Sequence, residues 1–577
     1  MKAIHYFLLL FVLFTTPIFA QIEEEEEDIV EIVSKVVRTV EPSFRMIETP
    51  KIIDTTIPVK TIEYPLLNLK QENIVKVDPI LPANIKLSEN KLSKLYNGYV
   101  RLGIGSPLMP LGELFYNNNR SKKNVYGIEL NYLNSLTNLE KTAPSKFDRT
   151  YLNAYVGAIQ TKYSVRADIL YKNYGLNRYG STYVKARPDS ISQRYSDLGG
   201  KILFSSNKKD SLKLNYALSF QINNYKDQAN AYTIGKWFGN ETNLSTINTF
   251  TYNFGREQFA IELNYLRNQF SYGEPDKKLN TIDSAYSMTN NIITIKPSIT
   301  TFAFNNRLKA QIGVDLSASN DSTTNYFVYP MAEIKYALYD NLFIPYLGVK
   351  GGLKRNTFQS LSTENPFMGS NPTILNESTP YSVYLGMRGI LTKNIEFNGS
   401  ANYSEIRNRA LFIRDTNAVH ANNNQFSVVY DTIQQLKIEA ALSYHLVDKV
   451  NIDFIARFFN YQTKNQAYAW NLPIYQFTLR GNYALKDKFV FGVDFHGEGG
   501  RKTRVFDVLE SGVSEKNKQL YKELGFIIDA NISVEYRYTK RLSAFVWLNN
   551  IAAQQYFRWY KYPVQAFQLM GGLTFKF

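Results

Sequence analysis

Cysteine is missing from all 577 residues. That absence excludes disulfides, thiolate metal sites, cysteine nucleophiles and the lipid-bearing cysteine of a lipoprotein. Long hydrophobic runs are missing as well. Beyond the first 20 residues no segment offers the roughly 18 consecutive apolar residues of a membrane-spanning helix, so a membrane crossing would need strands. Catalytic motifs are equally scarce: there is no Gly-x-Ser-x-Gly elbow, no His-Glu-x-x-His pair and no phosphate-cradling glycine loop. No enzyme activity and no cofactor is expected. Only four histidines occur. His5 lies in the leader, His420 in an Asn-rich stretch read as an outer loop, and His445 on a polar strand face. His496, Asp494 and Glu498 share one face of a strand, but with no second histidine nearby they read as interior polarity, and no metal site is expected.

Aromatics, by contrast, are plentiful: 42 Tyr and 37 Phe suit strands and the interfacial girdles of a barrel. A formal net charge of +15 points first to nucleic acid, yet the basic residues do not cluster into a recognition element. Their expected partners are lipopolysaccharide phosphates, a protein, or the lumen of a barrel. The chain opens with Met1-Lys2, an apolar run from Tyr6 to Leu13 and the small-residue site Phe19-Ala20, which predicts a signal peptide over residues 1–20.

The last residues, Phe567-Gln-Leu-Met-Gly-Gly-Leu-Thr-Phe-Lys-Phe577, alternate with period two. Phe567, Leu569, Leu573, Phe575 and Phe577 share one strand face, while Gln568, Thr574 and Lys576 take the other. The same alternation runs through Leu212–Ile222, Leu436–Tyr444, Tyr475–Tyr483 and Ala530–Tyr538. Lys213, Lys437, Glu439, Arg480, Asp529, Glu535, Arg537 and Lys576 are placed on inward faces, where their mixed signs predict a hydrated interior rather than a strongly charge-selective pore. Trp470, Trp547 and Trp559 are placed near outer strand ends and Trp237 in a loop, as interfacial anchors or loop packing.

Connections alternate in length. Tight polar turns are predicted at Thr161-Lys162, Lys208-Lys209, Arg256-Glu257, Asn305-Asn306, Asp340-Asn341, Lys393-Asn394, Asp448-Lys449, Lys486-Asp487 and Thr539-Lys540, with another at Asn119–Lys123. Longer stretches lie between them, such as 173–191, 224–240, 268–287, 354–380, 407–425 and 499–523. Strict alternation puts the tight turns at one end of a sheet and the long loops at the other. The chain is thus predicted to be all-β, a transmembrane antiparallel up-and-down β-barrel of about 22 strands spanning 96–577, with short periplasmic turns and long extracellular loops.

On these features the chain resembles the barrel of TonB-dependent receptors. The opening Tyr96–Leu114, which includes Gly98, Gly103 and Gly105, looks like the start of plugless TonB-receptor-like barrels. The terminal-Phe strand resembles the signal read by the barrel assembly machinery. The resemblance implies a Gram-negative outer membrane, contact with its lipid and lipopolysaccharide, and both the N-terminal tail and the C-terminus in the periplasm. It also implies a plug of roughly 150 residues, whereas only residues 21–95 precede the barrel. That segment is proline-punctuated and glycine-free, so it reads as an extended tail. Its run Glu23–Asp28 is a solvated acidic stretch. The adjoining Asp28, Ile29, Val30, Ile32 and Val33 faintly resemble a TonB box, a segment that pairs with an edge strand of an energising partner. Two functions follow: a pore or transport component, gated by outer loops, the tail or a separate plug protein, with TonB, a plug or a lipoprotein as a partner; or a structural accessory subunit with an occluded lumen.

Overall fold

The computed structural model describes residues 96–118, 121–180, 191–207, 214–229, 239–273, 286–321, 323–339, 342–415, 424–446, 449–486, 488–505 and 521–577. A single antiparallel sheet of 22 strands runs from Gly98–Ser106 to Gln568–Lys576. Each strand pairs with its successor, and the last pairs with the first in register from Tyr99↔Lys576 to Ser106↔Leu569. The barrel therefore has no free edge strand: every strand of the ring has a partner on each side.

Alternation sorts the side chains between its two faces. On the closing strand Thr574 is 1% exposed while Leu573 is 57% and Phe575 46% exposed. Leu102, Ile104, Val156, Ile169, Ile202 and Ile312 stand outward in the same way, forming an apolar belt. Charges of both signs pair along the inner wall: Lys437 and Arg457 meet Glu439 at 2.8 and 2.7 Å, Lys296 meets Glu262 at 3.1 Å, and Arg480 meets Asp494 at 3.4 Å. The mixture predicted for Lys437, Glu439 and Arg480 is what lines the wall; Lys213 lies outside the described residues.

Of the predicted tight turns, Thr161-Lys162, Asn305-Asn306, Lys393-Asn394 and Thr539-Lys540 fall in gaps between consecutive strands, Glu257 is already the first residue of its strand, and Lys208-Lys209, Asp340-Asn341, Asp448, Asp487 and residues 119–120 lie outside the described residues. Asn305 and Asn306 take left-handed φ values of 55° and 65°, a conformation that asparagine tolerates. The first and last strands meet at this same end: Asn97 N–H donates to the Phe577 carbonyl at 2.8 Å and Phe577 N–H to that of Gly98 at 3.0 Å. Along this seam Arg101, 2% exposed, donates to Thr574 Oγ1 at 3.0 Å and to Glu113 at 3.1 Å, with its guanidinium over the rings of Phe545 and Trp547.

At the opposite end the strands outrun expectation. Ile395–Arg414 and Phe426–Leu446 have 20 and 21 residues, against the roughly 9–11 that cross a bilayer. Parts of the stretches read as loops, including Arg407–Arg414 and Asn173–Asn177, are strand. Polar residues there mark strand ends beyond the apolar belt, not the end of pairing. The long-loop end also has two short connections, Pro107–Leu108 and 321–323, so loop length does not alternate strictly. The final strand begins at Gln568, and Tyr562–Pro563 pairs with Phe557–Trp559 inside the preceding loop.

Candidate functional site at the long-loop end

The connection between the strands Phe343–Lys354 and Glu377–Thr392 holds a helix, Phe358–Glu364. Its start is written locally. Thr357 Oγ1 accepts the Ser360 N–H at 3.0 Å and Ser360 Oγ accepts the Thr357 N–H at 2.8 Å, a reciprocal capping box. Phe358, Leu361 and Ser362 form its buried side. Seven residues are too few to hold a helix in water, so tertiary contacts must do so.

Those contacts come from the inner wall of strands distant in sequence. Glu241, fully buried, accepts the Phe358 N–H at 2.7 Å and the Gln359 N–H at 2.9 Å. Asn268 and Asn243 donate to the same carboxylate at 2.6 and 3.1 Å, fixing both oxygens. Charge-assisted bonds to the two leading amides also place negative charge at the positive end of the helix. Beside it Gln359 donates to Asp197 at 2.7 Å, and Asn223 donates to both Asp197 and Gln359 at 2.9 Å. Tyr225 and Ser362 share a hydrogen bond of 2.7 Å, and Tyr195 donates to the Pro366 carbonyl at 3.0 Å. Phe358 closes the apolar side against Phe270 and Tyr225, with ring centroids 5.1 and 5.7 Å away. Arg355 donates to the carbonyls of Arg267 and Leu244, and burial pushes its guanidinium pKa down.

In ring order these wall strands, Ser192–Ser206, Leu214–Ala229, Gly239–Phe254 and Glu257–Tyr272, stand several places from the strands that launch the loop. The segment therefore crosses the lumen as a chord instead of rising away from the mouth.

Beyond the helix the chain enters an aromatic nucleus. Phe367 stacks on Tyr562 with centroids 3.6 Å apart, and Tyr179 meets both edge-on at 5.8 and 5.0 Å. Phe426 and Phe412 pack on Trp559 at 5.4 and 5.3 Å. Tyr179, Phe426 and Tyr562 belong to loops or strand ends on well-separated parts of the ring, so the mouth is bridged through Phe367. Backbone bonds reinforce it: Gly369 N–H donates to the Phe426 carbonyl and Phe426 N–H to that of Phe367. Tyr179 donates to the Pro563 carbonyl and Tyr562 to that of Asn424. Burial pushes the phenol pKa values of Tyr179 and Tyr562 up, so both remain neutral donors. A second cluster joins buried Trp470 to Leu411, Ile413 and Ile433. Arg501 ties in one more loop, donating to the Arg558 and Phe557 carbonyls at 2.8 Å and pairing with Glu498 at 3.1 Å.

Trp470 and Trp559 thus act in loop packing, whereas Trp547 lies on the inner wall of the seam; Trp237 is outside the described residues. His496 faces Glu498 at 3.4 Å, and no metal-holding group of carboxylates and histidines occurs among the described residues. Phe567, Leu569, Leu573, Phe575 and Phe577 are all exposed, and Asp28, Ile29, Val30, Ile32 and Val33 lie outside the described residues. Sequence reasoning missed Glu241, Asp197, Phe358, Phe367 and Tyr562. The Thr357–Ser360 box was the one local signal; no sequence spacing links it to Glu241.

No protein-family profile and no curated protein matches the chain. Solved structures do. The pyoverdine outer membrane receptor FpvA of Pseudomonas aeruginosa PAO1 is similar over 84% of this chain and 78% of its own, with TM-score 0.61 and 13% identity. The FrpB iron transporter of Neisseria meningitidis is similar over 84% and 82%, with TM-score 0.64 and 9% identity. The copper transporter OprC is similar over 83% and 80%, with TM-score 0.59 and 11% identity. At these identities the likeness establishes a shared fold.

Proposed function

We propose that this chain is an outer-membrane transport barrel of the TonB-dependent-receptor type, without a complete plug, whose bore is narrowed by its own segment 355–376. The observation that carries this reading is the helix Phe358–Glu364 fastened to the inner wall by Glu241 and Asp197. A barrel of 22 strands left open would be wider than a porin channel and would breach the membrane barrier. A segment held across the lumen meets that need. Tight turns and both barrel ends face the periplasm, and the long loops face outward. The residues Asp28–Val33 are the site at which an energising partner would engage, and the exposed aromatic face of Phe567–Phe577 is the assembly signal.

Planar-bilayer conductance tests the reading with three proteins: the full chain, a chain lacking residues 21–90, and one in which Phe358–Met368 is replaced by a short Gly-Ser linker. A closed full chain that opens only on loop replacement makes the loop the gate. Opening on tail removal assigns gating to the tail instead. Silence of all three, correctly folded, sinks the transport reading. The interlocking of Phe367, Tyr562 and Trp559 favours one alternative in that case, an occluded accessory subunit that presents its loops to a partner, to be sought by co-purification.

A further inference from the structure

We infer that the outward wall beside the tight turns binds one phospholipid, with an acyl chain in an apolar groove and a zwitterionic headgroup on the adjoining turns. The inference rests on the membrane reading above. The groove holds about 540 Å³ and is lined by Leu214, Phe250, Phe259, Ile261, Pro297 and Ile312 among others. It crosses neighbouring strands: Leu214 pairs with Tyr252, Tyr252 with Phe259, Phe250 with Ile261, and Ile261 with Pro297. Pro297 supplies the depression. Its short ring sits where Ile295 and Ile299 stand to either side along the same outward face, and it contributes no N–H to the ladder.

A groove in a lipid-facing wall needs more than greasiness to select an occupant, and the turns beside it supply polarity. Arg256 and Arg307, both exposed, sit on neighbouring tight turns, and Phe302 N–H donates to the Arg256 carbonyl at 3.2 Å. Glu257 follows Arg256 and accepts a hydrogen bond from Thr301 Oγ1. Phe254 and Phe304, 66% and 67% exposed, flank these charges as interfacial aromatics do. Ile261 lies four residues into its strand from Glu257, which at about 3.4 Å per residue and a tilt near 45° sets the groove about 10 Å below the turns, at acyl depth. Two guanidinium groups suit a phosphate. The carboxylate beside them suits an ammonium that can donate hydrogen bonds, which favours ethanolamine over choline and over an uncharged glycerol headgroup.

Native mass spectrometry of the full-length protein, delipidated and exposed to equal amounts of phosphatidylethanolamine, phosphatidylcholine and phosphatidylglycerol of one chain length, tests this. The expected result is one retained lipid, with ethanolamine preferred at least threefold. Pro297→Phe, which fills the groove, should remove retention. Glu257→Gln should erase the headgroup preference while keeping the lipid, and Arg256→Gln with Arg307→Gln should weaken all three. Equal retention of the three headgroups by the wild type, or unchanged retention by folded Pro297→Phe, overturns the inference. If Pro297→Phe does not fold, the turn variants decide: unchanged headgroup preference in Glu257→Gln, or unchanged retention in Arg256→Gln with Arg307→Gln, overturns it equally. Flotation with vesicles separately tests whether the protein enters a membrane at all.

Discussion

The two ends of the barrel are held together by different kinds of contact. At the tight-turn end the described connections are closed within the turn or against the adjoining strand, as where Arg307 N–H donates to the Phe304 carbonyl, Thr539 N–H to that of Leu542, or Asn207 N–H to that of Lys162. At the long-loop end the contacts join residues far apart: Phe358 to Glu241, Arg178 to Met368, Tyr562 to Asn424. Contacts of the first kind reach no farther than the neighbouring strand or turn of the ring. Long-range closure makes the loops a single unit, so damage at one point should spread through the mouth and stop short of the wall.

The largest test of that contrast is replacement of Phe358–Met368 by a Gly-Ser linker, which should raise single-channel conductance from near closure to that of a wide pore while leaving strand content in circular dichroism unchanged. Glu241→Ala should come next. It strips the acceptor from four donors, each costing about 1–3 kcal/mol when left buried and unpaired. Amide exchange of residues 357–365 should accelerate at least tenfold, with the tight turns unaffected. Phe367→Ala should cost about 3 kcal/mol by opening a cavity against Tyr562, read as faster exchange of Gly369 and Phe426. Alkali should loosen the same region. Because burial raises the Tyr179 and Tyr562 pKa values, the folded state favours neutral phenols. Their contribution is complete below the unfolded value near 10 and is lost as pH climbs above it, so conductance should begin to rise there. Smallest of all, Asn306→Gly, at a turn with φ of 65°, should change stability by less than about 0.5 kcal/mol. A large effect from it, or a mild one from Glu241→Ala, would break the contrast between the ends.

This contrast also explains what the sequence revealed. Strands were legible because a wall with lipid on one side and water on the other imposes period two, as in Phe567–Phe577, and turns were legible because Asn305-Asn306 or Lys393-Asn394 carry their own conformational preference. The mouth was not. Ala410-Leu-Phe-Ile413 breaks the alternation because it is covered on both faces, Leu411 and Ile413 by Trp470 and Phe412 by Trp559, and so reads as neither wall nor loop. Asp197, Asn223 and Glu241 look like any polar lumen residues until the helix is laid against them. Their role depends on partners more than 100 residues away, as with Glu241 and Phe358.

The bond from Arg101 to Thr574 joins positions 473 apart in sequence. Loop-closure entropy makes such a contact late and slow, and the first strand must wait for the last. Until then the ring is an open sheet with two bare margins, each able to pair with the wrong strand. The Arg101–Glu113–Thr574 cluster rewards only the correct pairing of those margins, because a slip of one residue turns Thr574 outward and leaves the buried guanidinium with one acceptor fewer. The order of events is thereby fixed: the wall can zip from strand to strand at any time, but the choice of ring size and register is made once, at the seam.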